Sequence, residues 1–187
     1  STYLFLILFS FSAPSFADDI RDFEIEGMSI GDSLLDYFSE DEIKDGIVEN
    51  YYQYKSNKKF IAVEFYEFPF FETYENIAVH VKSDDKKYKI YEIGGFDFYD
   101  ENIDDCYKKQ NEIVEEISEI FEDAKKSEQS YKSRLDPSGK STKDKVKFTF
   151  NSGNEIQVNC SNWEENLRMK NNWSEGLSVI ISTKEVI

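Results

Sequence analysis

Positive charge is scarce in this chain. Against 38 aspartates and glutamates stand 22 lysines and arginines, for a net charge of −16. Such a surface repels phosphate backbones, which argues against nucleic acid as a partner. Histidine is scarcer still, with His80 alone. Long apolar runs are missing beyond residue 17, so no later segment reaches the roughly 20 apolar residues of a spanning helix. Cysteine is limited to Cys106 and Cys160, which leaves one possible disulfide connectivity. Aromatics are not scarce: 16 Phe and 12 Tyr are present among 187 residues. Disordered chains are poor in them, so the composition predicts a packed fold.

Residues 1–17 carry no charge, in a chain that is 32% charged. Tyr3 to Phe11 is almost wholly apolar, Pro14 breaks the run, and Ser15-Phe16-Ala17 precedes Asp18-Asp19. This is the apolar core and cleavage site of a secretory signal peptide. The competing reading is an uncleaved anchor, for which the run is short. No cysteine stands at the cut to take a lipid. The basic leader and an initiator Met are lacking, so the natural chain is expected to begin upstream of Ser1. The expectation is a leader over 1–17 and a single domain over 18–187, located in the periplasm or secreted, with no stable membrane insertion after cleavage.

The charge is uneven. Residues 18–50 and 92–123 each hold 12 acids against two basic residues, whereas 125–147 hold 8 Lys/Arg against 3 acids. Acidic surface of this kind mostly confers solubility; the functional alternative is a cationic ligand or a basic partner. In an oxidising compartment Cys106 and Cys160 are expected to bond, closing a loop that the chain-entropy model values at about 4 kcal/mol. The alternative is two buried thiols.

Gly27 to Gly31 reads as a loop. Asp32 opens a short helix with Leu34, Leu35 and Phe38 on one face. Ser39 and Glu42 have the capping-box spacing for a second, carrying Ile43 and Ile47. Alternation marks strands at Phe60–Tyr66, at Ile77, Val79 and Val81, and at Tyr88, Ile90 and Glu92, which oppose Lys89, Tyr91 and Ile93. Gly94-Gly95 separates a fourth at Phe96–Tyr99, and Glu67 to Thr73 is a wide connection. Ile103, Cys106, Tyr107, Gln110, Ile113, Val114, Ile117, Ile120, Phe121 and Ala124 recur at helical spacing. This predicts a long helix over 103–126, with Asp104 and Asp105 at its positive end and Lys125 and Lys126 at its negative end. Residues 127–145 read as a mobile basic connection. Val146 to Phe150 and Ile156 to Cys160 form a hairpin across Asn151-Ser152-Gly153-Asn154, Trp163 to Trp173 is irregular, and Leu177–Ile181 is the last strand. The fold class is therefore α+β: a mostly antiparallel sheet of six or seven strands, short N-terminal helices, and one long helix across a face. Cys106 and Cys160 both fall on core-facing positions.

Searches for chemistry give little. His80 shares a strand face with Ala78 and Lys82, read as the solvent face, and no Ser or Cys is placed in sequence to use it as a base. Ser138-Gly139-Lys140-Ser141 resembles the end of a phosphate loop, but Arg134 stands where the first glycine belongs, and no strand-to-helix context surrounds it. Asp97, Asp100, Glu101, Asp104 and Asp105 form the densest carboxylate cluster, a weak candidate for calcium. Their spacing matches no EF-hand loop, and helix capping accounts for them better. The glutamates of the long helix read as a solvated ridge. Tyr52, Tyr54, Trp163 and Trp173 are weak candidates for a sugar- or peptide-binding groove, against core packing. Asn159-Cys160-Ser161 and Asn172-Trp173-Ser174 match the glycan acceptor pattern, relevant only to a eukaryotic route. No catalytic residue and no cofactor is singled out.

Several segments resemble a family of small exported proteins of marine alphaproteobacteria. They are Phe16-Ala17-Asp18-Asp19-Ile20, the run from Ile25-Glu26-Gly27-Met28 to Ser39, Cys106-Tyr107-Lys108-Lys109 heading a Glu/Ile-rich helix, the Asp136–Ser141 turn, and the hairpin ending at Cys160 with Trp163 after it. The resemblance spans nearly the whole chain and implies a compartment but no activity. A second likeness, around Gly27-Met28-Ser29, is to the small lipoprotein of the outer-membrane barrel-assembly complex; here the apolar helix positions are shifted by one and the lipidated cysteine is absent. The function expected is a non-catalytic periplasmic binding or assembly module for a protein or small ligand. The alternative is a hydrolase using the carboxylates of 97–105. Mass spectrometry of the exported protein should find Asp18 at its N-terminus; an intact 1–17 segment in the membrane fraction would reject the leader.

Overall fold

A computed structural model of the chain describes residues 20–48, 59–100, 102–171 and 173–187. The leader, with its cut before Asp18, therefore lies outside the described residues, as do Tyr52, Tyr54, Glu101 and Asn172. The fold is α+β. Strands β1 (Glu24–Ile25) and β2 (Met28–Ser29) form a small hairpin where a loop was expected. The main sheet has seven antiparallel strands: β3 (Phe60–Tyr66), β4 (Asn76–Lys82), β5 (Ile90–Phe98), β6 (Lys125–Lys132), β7 (Thr142–Thr149), β8 (Glu155–Asn162) and β9 (Gly176–Ser182). Their spatial order is β3-β4-β5-β9-β8-β7-β6. Two sequential meanders are thus joined by the last strand, which pairs with β5 on one side and β8 on the other.

Alternation explains the buried face. Val63 and Phe65, Ile77 and Val79, Ile93, Val179 and Ile181, Ile156 and Val158, and Phe148 lie in register across the strands and are all buried. On this face lies α2 (Ile103–Ile120), the crossover from β5 to β6, packed on β8 and β9. Its buried stripe is Cys106, Gln110, Ile113, Val114 and Ile117. Cys106 and Cys160 are bonded, with Cα atoms 6.1 Å apart. One turn on, the buried Gln110 amide donates to the carbonyls of Asp144 (3.0 Å) and Val158 (2.9 Å). N-terminal elements close the other half of this face. A single 3-10 turn at Leu34–Asp36 replaces the first predicted helix and leaves Leu35 exposed. The capping box at Ser39 and Glu42 then starts α1 (Glu40–Asp45) as its spacing predicts.

Further expectations are corrected. The long helix stops at Ile120, because Phe121 leaves the helical path to meet the Phe150 ring edge-on at 5.0 Å, both rings being buried. Lys125 and Lys126 open β6 instead of ending a helix, and 127–145 is largely the β6–β7 hairpin, paired over eight positions. Gly94-Gly95 does not end a strand. It lies inside β5, where glycine is required because a Cβ on Gly95 would fall 2.6 Å from the partly buried Tyr74 ring. Tyr74 is held there by Glu26, whose carboxylate accepts the backbone N–H groups of Glu72, Thr73 and Tyr74. A register shift at His80/Val81 makes Tyr91 an extra residue, so Ile90 and Ile93 both face the core despite their odd spacing. Finally, the Trp163–Trp173 stretch contains α3 (Glu165–Asn171).

The bridge spans 54 positions of sequence and is fully buried. Protein refolded under reducing conditions should melt on the order of 10 °C lower than the oxidised form, the equivalent of about 4 kcal/mol at this size. Cys106→Ala and Cys160→Ala should each abolish that difference, and equal melting of the two forms would show that the bridge carries no stability.

Candidate functional site

Of the carboxylates and tryptophans singled out in the sequence, Asp100, Trp163 and Trp173 are drawn together around α3. Asp100 Oδ1 accepts the Glu175 N–H at 2.6 Å and lies 3.3 Å from Arg168 Nη1 of α3. Glu175 in turn accepts the Trp163 N–H at 3.1 Å. The Trp163 and Trp173 rings pack on each other, centroids 4.6 Å apart, on either side of α3. Asp97 is half-buried near the end of β5. Burial pushes its pKa up, with Glu75 adding to the rise, while a hydrogen bond from Tyr99 opposes it. Burial likewise raises Glu175. Asp104 and Asp105 lie in the first turn of α2, where Asp105 accepts the Asn102 side-chain N–H at 2.8 Å. Among the described residues no group of three or more His, Cys, Asp or Glu could hold a metal ion. The predicted cluster is therefore divided between a strand end, a loop anchored to α3, and a helix cap.

The phosphate-loop fragment has a different use. Asp136 is buried, and its carboxylate accepts the N–H groups of Ser138 (2.8 Å), Lys140 (3.1 Å) and Ser141 (2.7 Å), together with the Ser141 hydroxyl (2.8 Å). Ser141 Oγ then accepts the Glu164 N–H at 2.8 Å, tying this turn to the start of α3. The chain fills its own anion nest with its own carboxylate.

His80 is not on a solvent-exposed face. It is buried, with Nδ1 against Glu92 Oε1, and Ser182 Oγ donates to Glu92 Oε2 at 2.6 Å. The bulge at Tyr91 puts Glu92 directly opposite His80. All three residue types of a hydrolytic triad are present, but the acid stands between serine and histidine. His80 cannot take the Ser182 proton through a carboxylate, so nucleophilic catalysis by Ser182 does not follow.

What the sequence reading missed lies on the sheet face opposite α2. Lys143, Lys145 and Lys147 alternate along β7, all on that face and all half-buried. Their cross-strand partners in β8 are Ser161, Asn159 and Gln157, and those in β6 are Tyr131, Gln129 and Ser127. Lys147 pairs with Glu155 at 2.8 Å. Lys143 and Lys145 have no carboxylate partner among the described residues. Burial and the neighbouring Lys145 push the Lys143 pKa down. Asn159 is 1% exposed, donates from Nδ2 to Ser178 Oγ at 3.1 Å, and leaves Oδ1 without a partner. Its burial also argues against its use as a glycan acceptor. The signal was there to be read: lysines at every second position mark one face of a strand, but the local charge suggested a connection.

No family model, no curated protein and no solved structure matches the chain.

The Asp136 nest has a consequence for pH. Hydrogen bonds from the Ser138 side chain and from Ser141 hold its carboxyl well below the usual range. A depressed carboxylate contributes stability above its unfolded value of about 3.9, and that contribution is lost as pH falls toward the folded value. Asp136→Asn should lower the melting temperature at pH 7 and reduce the loss of stability below about pH 4. Parallel melting curves for the two proteins down to pH 2 would contradict this role.

Proposed function

We propose that the protein is a non-catalytic binding module of the periplasm or extracellular space. Its contact surface is the polar face of β6–β9. The observation that carries this reading is the pair Lys143 and Lys145, which have no acidic partner among the described residues. Unpaired charges on a half-buried face are costly to retain for stability alone, whereas a negatively charged ligand would complete them. The disulfide and the uncharged 1–17 segment support the compartment, and the resemblance to small exported proteins points the same way.

The alternative is a hydrolase acting on an extracytoplasmic substrate through the carboxylates near Asp97. Two raised carboxyls, Asp97 and Glu175, favour it. Against it, Glu175 is engaged with Trp163 and Asp97 with Tyr99, so the two carboxyls are held by different partners. Glycoside hydrolysis, the carboxylate-dependent case, commonly needs two carboxyls flanking one bond. A thermal-shift screen of the intact protein against sugars, peptides and divalent ions should return anionic ligands, whose stabilisation is lost in Lys143→Gln/Lys145→Gln and kept in Asp97→Asn. Turnover of any hit, abolished by Asp97→Asn, would establish the hydrolase instead.

A further inference from the structure

An open sheet has two edges, and among the described residues only one of them is covered. Along β3, Glu64 donates its N–H to the Gly46 carbonyl at 2.8 Å and Val48 donates to the Ala62 carbonyl at 3.0 Å, so the 46–48 segment occupies the middle of that edge. At the far end of the sheet lies β6, with β7 as its one neighbouring strand. The pairing fixes which of its backbone groups are turned outward. Ser133, just past β6, donates its N–H to the carbonyl of its partner Ser141 at 2.9 Å. Opposed residues that exchange hydrogen bonds alternate along an antiparallel ladder, so the odd-numbered residues of β6 face β7 and the even-numbered ones face away. The next ladder agrees, since the even-numbered Phe150 bonds Asn154 across the β7–β8 hairpin. Lys126, Glu128, Ser130 and Lys132 therefore turn N–H and C=O groups outward, and among the described residues no backbone group pairs with them.

Open edges are commonly blunted by shortness, proline, a bulge, a cover or charge. β6 is eight residues long, has no proline, keeps an unbroken register and exposes seven of its residues. Its protection is lysine alone, at Lys125, Lys126 and Lys132 against the single acid Glu128. Lysine blocks a second copy of this chain. Paired antiparallel along its whole length with itself, β6 would set Lys126 opposite Lys132 at both ends, and like charges directly opposite are destabilising. The registers that set Glu128 opposite a lysine overlap over little more than half the strand. An acidic strand meets the reverse field. The edge belongs to the 125–147 segment, with 8 Lys/Arg against 3 acids, in a chain of net charge −16. One of those acids, Asp136, is committed to its own turn. The rest of the surface repels an acidic segment and steers it to this edge. We infer that β6 is a docking edge for an acidic extended segment of another protein, which adds to the sheet as an eighth strand. Its backbone bonds the outward groups of Lys126 to Lys132, and its acids lie opposite those two lysines. Lys126 now pairs with Glu128 at 2.8 Å on exposed surface, a contact of little worth in water that an opposing acid can replace. The inference rests on the binding-module reading and adds an edge to the face named there.

The test is titration of the intact protein, followed by amide NMR, with a blocked heptapeptide carrying glutamate at both ends and threonine between. The same peptide with lysine at both ends, and the acidic one N-methylated at every odd position, are the comparisons. Saturable shifts centred on the Lys126, Glu128, Ser130 and Lys132 amides are expected with the acidic peptide, and none with the other two. Lys126→Glu/Lys132→Glu should weaken the acidic peptide about tenfold or more, the value of one hydrogen bond to a charged group, and admit the lysine-ended one. Lys86→Glu/Lys87→Glu, an equal charge change in the β4–β5 connection, should leave binding unchanged. Ser130→Pro removes an outward N–H without touching the β7 ladder and should abolish binding. Should that variant melt early, the charge reversal still decides. Equal binding of the lysine-ended or the N-methylated peptide would overturn the inference, as would equal loss in Lys86→Glu/Lys87→Glu. A dimer in sedimentation, dissociated by Ser130→Pro, would make the edge a self-interface and overturn the acidic partner. Shifts confined to the lysine face and lost in Lys143→Gln/Lys145→Gln would overturn the edge and leave the binding module standing.

Discussion

The architecture depends on where β9 goes. Each of the meanders β3-β4-β5 and β6-β7-β8 is built from neighbours in sequence and could pair locally. Neither is joined to the other until the last strand enters between β5 and β8, in register over seven positions on each side. Leu177, Val179 and Ile181 then connect the two halves of one apolar face. Such pairing is non-local and entropically expensive to close. The α2 crossover offsets part of that cost. It runs over β8 and β9, where the Cys106–Cys160 bridge and the Gln110 amide fix it to the strand beside the insertion. Gly176 shows how tight the junction is, since a Cβ there would lie 2.2 Å from the Asp97 carbonyl.

An acidic chain also uses its acids inside the fold. Glu26 holds three consecutive N–H groups of the β3–β4 connection. Asp136 holds three in the β6–β7 turn, and Asp100 and Glu175 secure the approach to β9. Hydrogen bonds to a charged acceptor are worth more than neutral ones, so these loops gain order without large apolar cores of their own. None of these four reaches the lysines of β7, and among the described residues Lys143 and Lys145 have no carboxylate partner. That contrast directs attention to the β7–β8 face rather than to the carboxylate cluster.

Much of the core was legible from alternation. Phe60–Tyr66, Ile77–Val81, Ile156–Cys160 and Leu177–Ile181 are strands with the faces their patterns predict, and the inward placement of both cysteines follows from the same periodicities. The errors have identifiable causes. Gly94-Gly95 reads as a break because nothing local reveals that the Tyr74 ring fills the space above it. His80 reads as exposed because nothing local signals the one-residue bulge at Tyr91, which sets Glu92 opposite it. β6 reads as a loop because Lys125–Lys132 has no apolar side; its strand state comes from pairing with β7, not from its own pattern. Of the candidate site residues, Trp163 and Trp173 do come together, whereas Asp97, Asp100, Asp104 and Asp105 do not act as a group.

Sequence by itself determined the charge, the single disulfide connectivity, the α+β class and the inward face of most strands, because these depend on residue type and on spacing within one element. Tertiary structure alone decided the order of the strands, the burial of His80, the end of α2 at Phe121, and the meeting of Lys143, Lys145 and Asn159 on one surface. Each of these is set by a partner distant in sequence, and periodicity along one strand carries no information about which strand will lie beside it.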